Sequence, residues 1–144
     1  PSLFKSKEQL IFFQKKGRIN NMWYLFLDDI RELSYLETKK EEKNLKFVEG
    51  PWIIARSMTE ALEIIKEKGA PTVVSFDHDL GVDSKGEELP SGFTLTKWLV
   101  EQDLNDSKFL PENFQFQVHS DNPVGKKNIE GYLNQYLYFK AREV

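Results

Sequence analysis

The chain has 144 residues, 40% of them hydrophobic and 30% charged, with a net charge of −3 and no cysteine. That length suits one domain with a real core, and the missing thiols exclude disulfides, thiolate catalysis and cysteine-based zinc sites. No apolar run is long enough to span a membrane and no overall basic field attracts duplex DNA, so a soluble, cytoplasmic protein without membrane or duplex partners is expected.

Residues 1–21 read as an N-terminal extension. Ser6 to Lys16 could form a short amphipathic helix carrying Leu10, Ile11 and Phe13, and GRINN follows as a connector. The domain is expected over 22–144, with Met22 as a natural start. MWYLFL is a continuous apolar run of strand length, as in a strand buried on both faces, and it ends at Asp28 and Asp29. Leu36 to Asn44 is charged and reads as a solvated helix or loop.

PWIIARS gives a second strand. Ser57-Met58-Thr59-Glu60 has the capping-box spacing, and a helix through Ala61, Leu62 and Ile65 is stopped by Gly69 and Pro71. TVVSF is a third buried strand and runs straight into Asp77, His78 and Asp79. Leu80 to Pro90 is a polar loop of lid-like length whose Asp83, Glu87 and Glu88 are expected to be solvated. Ser91 can cap a helix that turns Leu95, Trp98 and Leu99 inward. FQFQV is a fourth strand ending at His119, and Asn122-Pro123 opens a last helix with Ile129, Tyr132, Leu133, Tyr136 and Leu137 as its apolar stripe. Trp23, Trp52 and Trp98 are expected in the core.

Strands alternating with helices predict an α/β domain with right-handed crossovers and a mainly parallel sheet of about four strands. The C-terminal strand ends then share one edge, and ligands bind outside it where strand order reverses, between the first and third strands. Asp28 and Asp29 taken alone serve equally well as turn residues. With Asp77 and Asp79 on the same edge, however, the carboxylates repel unless a cation or shared protons neutralise them, and an all-oxygen set suits Mg²⁺ or Mn²⁺ better than zinc.

Both histidines of the chain fall at strand ends. A histidine beside carboxylates has a raised pKa and can donate a proton near neutral pH, which makes His119 and His78 candidates for catalysis. The segment from His119 through Ser120, Asn122, Gly125 and Lys126 joins a hydroxyl, a glycine, a helix N-terminus and lysine, a natural anion site whose plain alternative is an N-cap. Arg31 either binds phosphate or neutralises Asp29.

Read together, LFLDDIR, VVSFDHDLG and HSDNPVGKKNI resemble the cyclic-phosphate-processing receiver-like domains, a divergent bacterial and phage branch of the receiver fold, over about Trp23 to Tyr138. The resemblance implies a receiver-like, flavodoxin-like three-layer sandwich. It also implies Asp28 and Asp29 as the metal-binding acidic pair, Asp77 at the phospho-acceptor position and Ser120 as the switch hydroxyl. A fifth strand ending in lysine is not evident.

The activity implied by the resemblance is metal-dependent hydrolysis of a cyclic phosphate on a nucleotide or RNA end, in a bacterial or phage-infected cell. In that scheme Asp28, Asp29 and Asp77 hold Mg²⁺ or Mn²⁺, His119 protonates the departing sugar oxygen, and His78 with Asp79 orients water. Ser120, Asn122, Gly125, Lys126 and Arg31 bind the phosphate. The alternative is a regulatory receiver, phosphorylated at Asp77 or merely holding a cyclic phosphate.

Overall fold

The computed structural model describes residues 22–142, so the expected N-terminal extension lies outside it. Its strands are β1 (Tyr24–Leu27), β2 (Trp52–Ala55), β3 (Val73–Phe76) and β4 (Gln115–Val118). Between and after them come α1 (Ser34–Thr38), α2 (Met58–Lys68), α3 (Gly92–Asn105) and α4 (Pro123–Arg142). The strands form one sheet in the order β2-β1-β3-β4, every neighbouring pair parallel. The chain thus leaves β1 to one side for β2 and returns to the other side for β3, and the reversal falls between β1 and β3, as expected.

Alternation along the strands sorts the core into unequal layers. Leu25, Leu27, Val74 and Phe76 point to the face covered by α2, α3 and α4, and they pack with Ala61, Ile65, Leu95, Leu99, Ile129 and Leu133. The opposite face carries Phe26 and is closed by Leu36 of α1 together with Leu45. The segment expected to be a solvated helix or loop therefore supplies a lid for the core. Leu36 is fully buried while Glu37, Lys40, Glu41 and Glu42 face water, a pattern too short to leave a clear helical period.

Local capping follows the sequence closely. Ser57 Oγ accepts the Glu60 amide at 3.1 Å, but the Glu60 carboxylate reaches back to the Arg56 amide, so the box is only half closed. Ser91 and Thr94 form a complete capping box at the start of α3. Gly69 ends α2 with φ of 84°, a conformation that glycine adopts without strain. On α4, Ile129 and Leu133 are buried as the stripe predicts, whereas Tyr132 turns outward and meets Phe93 edge-on at 5.5 Å between centroids. The 81–90 loop is exposed along its whole length, its charges solvated as expected.

One buried charge locks the helices together. The Asp103 side chain on α3 accepts the Leu110 amide at 2.9 Å, the Tyr136 hydroxyl at 2.6 Å and Lys140 Nζ at 2.6 Å, the last two from α4. Burial and this carboxylate together push the Tyr136 hydroxyl far above its ordinary pKa, so it stays a donor. Asp103→Ala leaves these donors without a partner and is expected to cost about 3 kcal/mol in urea denaturation.

Candidate functional site

The parallel register builds the site in rows. Phe26, Ser75 and Gln117 lie side by side across β1, β3 and β4. Two residues further along each strand, on the same face, come Asp28, Asp77 and His119. The backbone ladder continues far enough to hold them, with amide bonds from Asp28 to Ala55, from Asp77 to Leu27 and from His119 to Phe76 of 2.9 to 3.1 Å. Asp28 and His119 are fully buried and Asp77 is 4% exposed.

His119 is placed differently from the expectation. Its ring stacks on Phe26 with centroids 4.7 Å apart, and both ring nitrogens are engaged. Nδ1 meets Ser75 Oγ at 2.7 Å and Nε2 meets Asp28 Oδ2 at 3.0 Å. Gln117 fixes which atom donates. Its Oε1 accepts the Phe47 amide at 2.8 Å, while its Nε2 donates to the Phe47 carbonyl at 2.6 Å and to Ser75 Oγ at 3.1 Å. The Ser75 proton is then free to point at Nδ1, which leaves the proton of a neutral His119 on Nε2, aimed at the Asp28 carboxylate.

Burial lowers the His119 pKa and outweighs the Asp28 charge, contrary to the raised value expected for a histidine beside carboxylates. A sealed, neutral ring with both nitrogens engaged holds Asp28 in place and has no path to a leaving oxygen. Asp28 itself accepts the Ile30 and Arg31 amides on Oδ1 at 3.0 and 2.9 Å. Burial opposes its ionisation, but the His119 bond and these amides overcome it and hold the carboxyl well below the usual range. Asp77 is the reverse case. Burial and the Asp28 charge push it up to about 6, against the pull of Arg31.

One carboxylate oxygen each from Asp28, Asp29 and Asp77 lies within 4.8 Å of the others. An all-oxygen donor set, and a carboxyl whose ionisation is held back by burial and by a neighbouring negative charge, fit a hard divalent cation such as Mg²⁺ or Mn²⁺. Arg31 brings positive charge to the same cluster. Its Nη1 is 3.3 Å from Asp28 and 3.6 Å from Asp77, while Nη2 reaches Asp121 at 2.5 Å. Arg31 therefore neutralises Asp28 and Asp77, and not Asp29 as its position in the sequence suggests.

The second histidine stands on the open side. His78 Nδ1 is 3.0 Å from Asp79 Oδ1, and Asp79 Oδ2 accepts Asn122 Nδ2 at 3.2 Å. The His78 bond, followed by that of Asn122, lowers the Asp79 pKa and keeps it an acceptor. The ring packs against Gly125, where a methyl group would lie 2.3 Å from its Cγ. Nδ1 is the ring nitrogen engaged by these contacts, and the side chain is 20% exposed.

The expected phosphate residues serve partly as structure. Asn122 Oδ1 caps the Gly125 amide at 2.9 Å, and Ser120 Oγ accepts the Asn122 amide at 3.1 Å while facing Asp77. The N-terminus of α4 is thus satisfied from within, and Lys126 is half-buried on its first turns.

Several residues that hold the site carried little signal in the sequence. Lys43 and Tyr35 reach it from the segment after β1, with Lys43 Nζ 2.6 Å and the Tyr35 hydroxyl 3.1 Å from Asp121. Gly92 is another. A Cβ there would stand 1.9 Å from the Asp77 carbonyl oxygen, because the first turn of α3 abuts the end of β3 and its amide donates to the His78 carbonyl at 2.8 Å. The obstacle is backbone and cannot swing aside, so Gly92→Ala is expected to cost about 3 kcal/mol in thermal or urea unfolding.

Among the described residues, no helix is long and apolar enough to cross a membrane. No curated protein and no solved structure matches the chain. Residues 23–135 match the family described as the cyclic-phosphate processing receiver domain. The match spans the sheet, the first three helices, the first part of α4 and all three acidic and histidine turns, and the chain belongs to that family.

Proposed function

We propose that this domain hydrolyses a cyclic phosphate ester, carried by a nucleotide or an RNA end, in the crevice between β1 and β3, with Mg²⁺ or Mn²⁺ held by Asp28, Asp29 and Asp77. The observation that carries the reading is the pairing of that carboxylate trio with a separate, partly open His78–Asp79–Asn122 relay on the adjacent turn. A bound divalent ion supplies Lewis-acid polarisation of a phosphoryl oxygen and a more acidic water.

The chain's own residues do the rest. Asp79 accepts the Nδ1 proton of His78 and fixes its tautomer, which leaves Nε2 to take a proton from water or return one to the departing sugar oxygen. His78 replaces His119 in this role, because His119 is sealed beneath Asp28. The Arg31 guanidinium balances the buried carboxylates, while the His119 bond and the Arg31 and Ile30 amides keep Asp28 ionised. Ser120, beside Asp77, offers a hydroxyl to a phosphoryl oxygen.

Incubation with 2′,3′-cyclic AMP and either metal, followed by phosphorus NMR, tests this directly. Ring opening that needs the metal is expected, and no turnover with either metal across cyclic nucleotides and cyclic-phosphate RNA ends sinks the reading. A second reading, a regulatory receiver phosphorylated at Asp77, draws on the Ser120 hydroxyl facing that carboxylate. It requires a base-labile phosphoryl adduct, seen by intact mass after treatment with a small phosphodonor and absent from Asp77→Asn.

A further inference from the structure

We infer that Arg31, Tyr35 and Lys43 form a phosphate-binding subsite that the Asp121 carboxylate fills when no ligand is bound. Three donors from the segment between β1 and β2 converge on that one side chain. Arg31 Nη2 lies 2.5 Å from Oδ2, and Lys43 Nζ and the Tyr35 hydroxyl lie 2.6 and 3.1 Å from Oδ1. Two cations and a hydroxyl arranged around a carboxylate are the same donors that a phosphoryl group takes, since both are oxyanions bound through charge-assisted hydrogen bonds.

The donors are the fixed part of this arrangement and the carboxylate is the replaceable part. The side chains of Arg31 and Lys43 are 25% and 12% exposed, while that of Asp121 is 60% exposed. Arg31 lies over the Tyr35 ring, 4.6 Å from its centroid, and its other nitrogen is anchored on Asp28. Lys43 is also tied to the Ser120 carbonyl at 3.1 Å. Burial and the Asp121 bond raise the Tyr35 pKa, so the hydroxyl keeps its proton. Asp121 sits on the turn between β4 and α4, and its departure uncovers a cage whose donors are anchored elsewhere.

The position suits the proposed hydrolysis. One guanidinium spans from Asp28 and Asp77 to Asp121, so a phosphoryl oxygen taking the place of Asp121 sits one guanidinium width from the acidic trio. The subsite rests on the hydrolytic reading only for what the phosphate is attached to.

Titration calorimetry of the full chain with inorganic phosphate and with 2′,3′-cyclic AMP, with and without Mg²⁺, tests the inference. Asp121→Asn removes the competing anion at an exposed position and is expected to tighten binding about tenfold, whereas Lys43→Gln weakens it about tenfold. Binding that is unchanged or weaker in Asp121→Asn overturns the subsite, as does failure of both wild type and Asp121→Asn to bind either probe. The subsite and the hydrolase fail separately. Tighter phosphate binding in Asp121→Asn without ring opening keeps the subsite and removes the hydrolase, and ring opening with no response to Asp121→Asn does the opposite.

Discussion

His119→Ala is expected to lower folding stability by about 4 kcal/mol, measured by urea denaturation at neutral pH. The loss has separable causes. The missing ring leaves a void against Phe26, on which it stacks at 4.7 Å. It also strips Nε2 from a buried carboxylate and Nδ1 from the buried Ser75 hydroxyl. The pH dependence identifies the pair. Burial lowers the His119 pKa from its ordinary 6.5, so the unfolded chain takes up a proton in acid that the folded chain refuses, and wild-type stability falls as pH drops below that value. The folded Asp28 carboxyl is depressed below its ordinary 3.8, so its contribution is present above that pH and is likewise lost on acidification. The first effect needs His119, and the second draws on it together with the Ile30 and Arg31 amides. The stability gap between wild type and His119→Ala should therefore be widest near neutrality and narrow steadily toward acid. A gap that is flat with pH would mean that the ring acts only by filling space.

The elements that proved legible in the sequence are those whose cause is local. MWYLFL and TVVSF announce buried strands by composition, Ser57 and Ser91 announce helix starts by capping, and Gly69 announces a stop. The meeting of Asp28, Asp77 and His119 was legible too, because parallel strands that end in step put their terminal residues in one row. What that row does with His119 was harder to read. A signal existed, since Gln117 and His119 share a strand face and Ser75 sits as a polar residue among the apolar neighbours of β3. Polar residues inside otherwise apolar strands must find partners, and here they find one another. No comparable signal marked Lys43 or Tyr35. Their arrival beside Asp121 depends on how the long β1–β2 connection folds back over the thin face of the sheet, around Leu36 and Leu45. Gly92 was silent for the same reason, because the contact that forbids its side chain is with a carbonyl from another element.

The two histidines are expected to separate by function when His78 is replaced. His78→Gln should lower kcat for cyclic-phosphate opening by about a thousandfold, within the usual range for loss of a general acid or base, while Mn²⁺ affinity and folding stability change little. Its side chain is 20% exposed, and the bond from residue 78 to the acidic trio is made by its backbone amide, which donates to Asp77 Oδ1 and is kept by the variant, so the metal donors survive the change. Asp79→Asn keeps the imidazole but removes the charge that aligns it, and a fall in kcat is expected there too. Gly125→Ala offers the stricter control. It leaves the imidazole in the chain, but the new methyl group would stand 2.3 Å from the ring and must push it out of line. Activity should fall with the metal site intact, because position rather than presence of the ring is what the relay provides. If His78→Gln retains turnover while Gly125→Ala loses it, the glycine is needed for the turn alone and the proton must travel through another group, with Asp79 and a bound water as the remaining path.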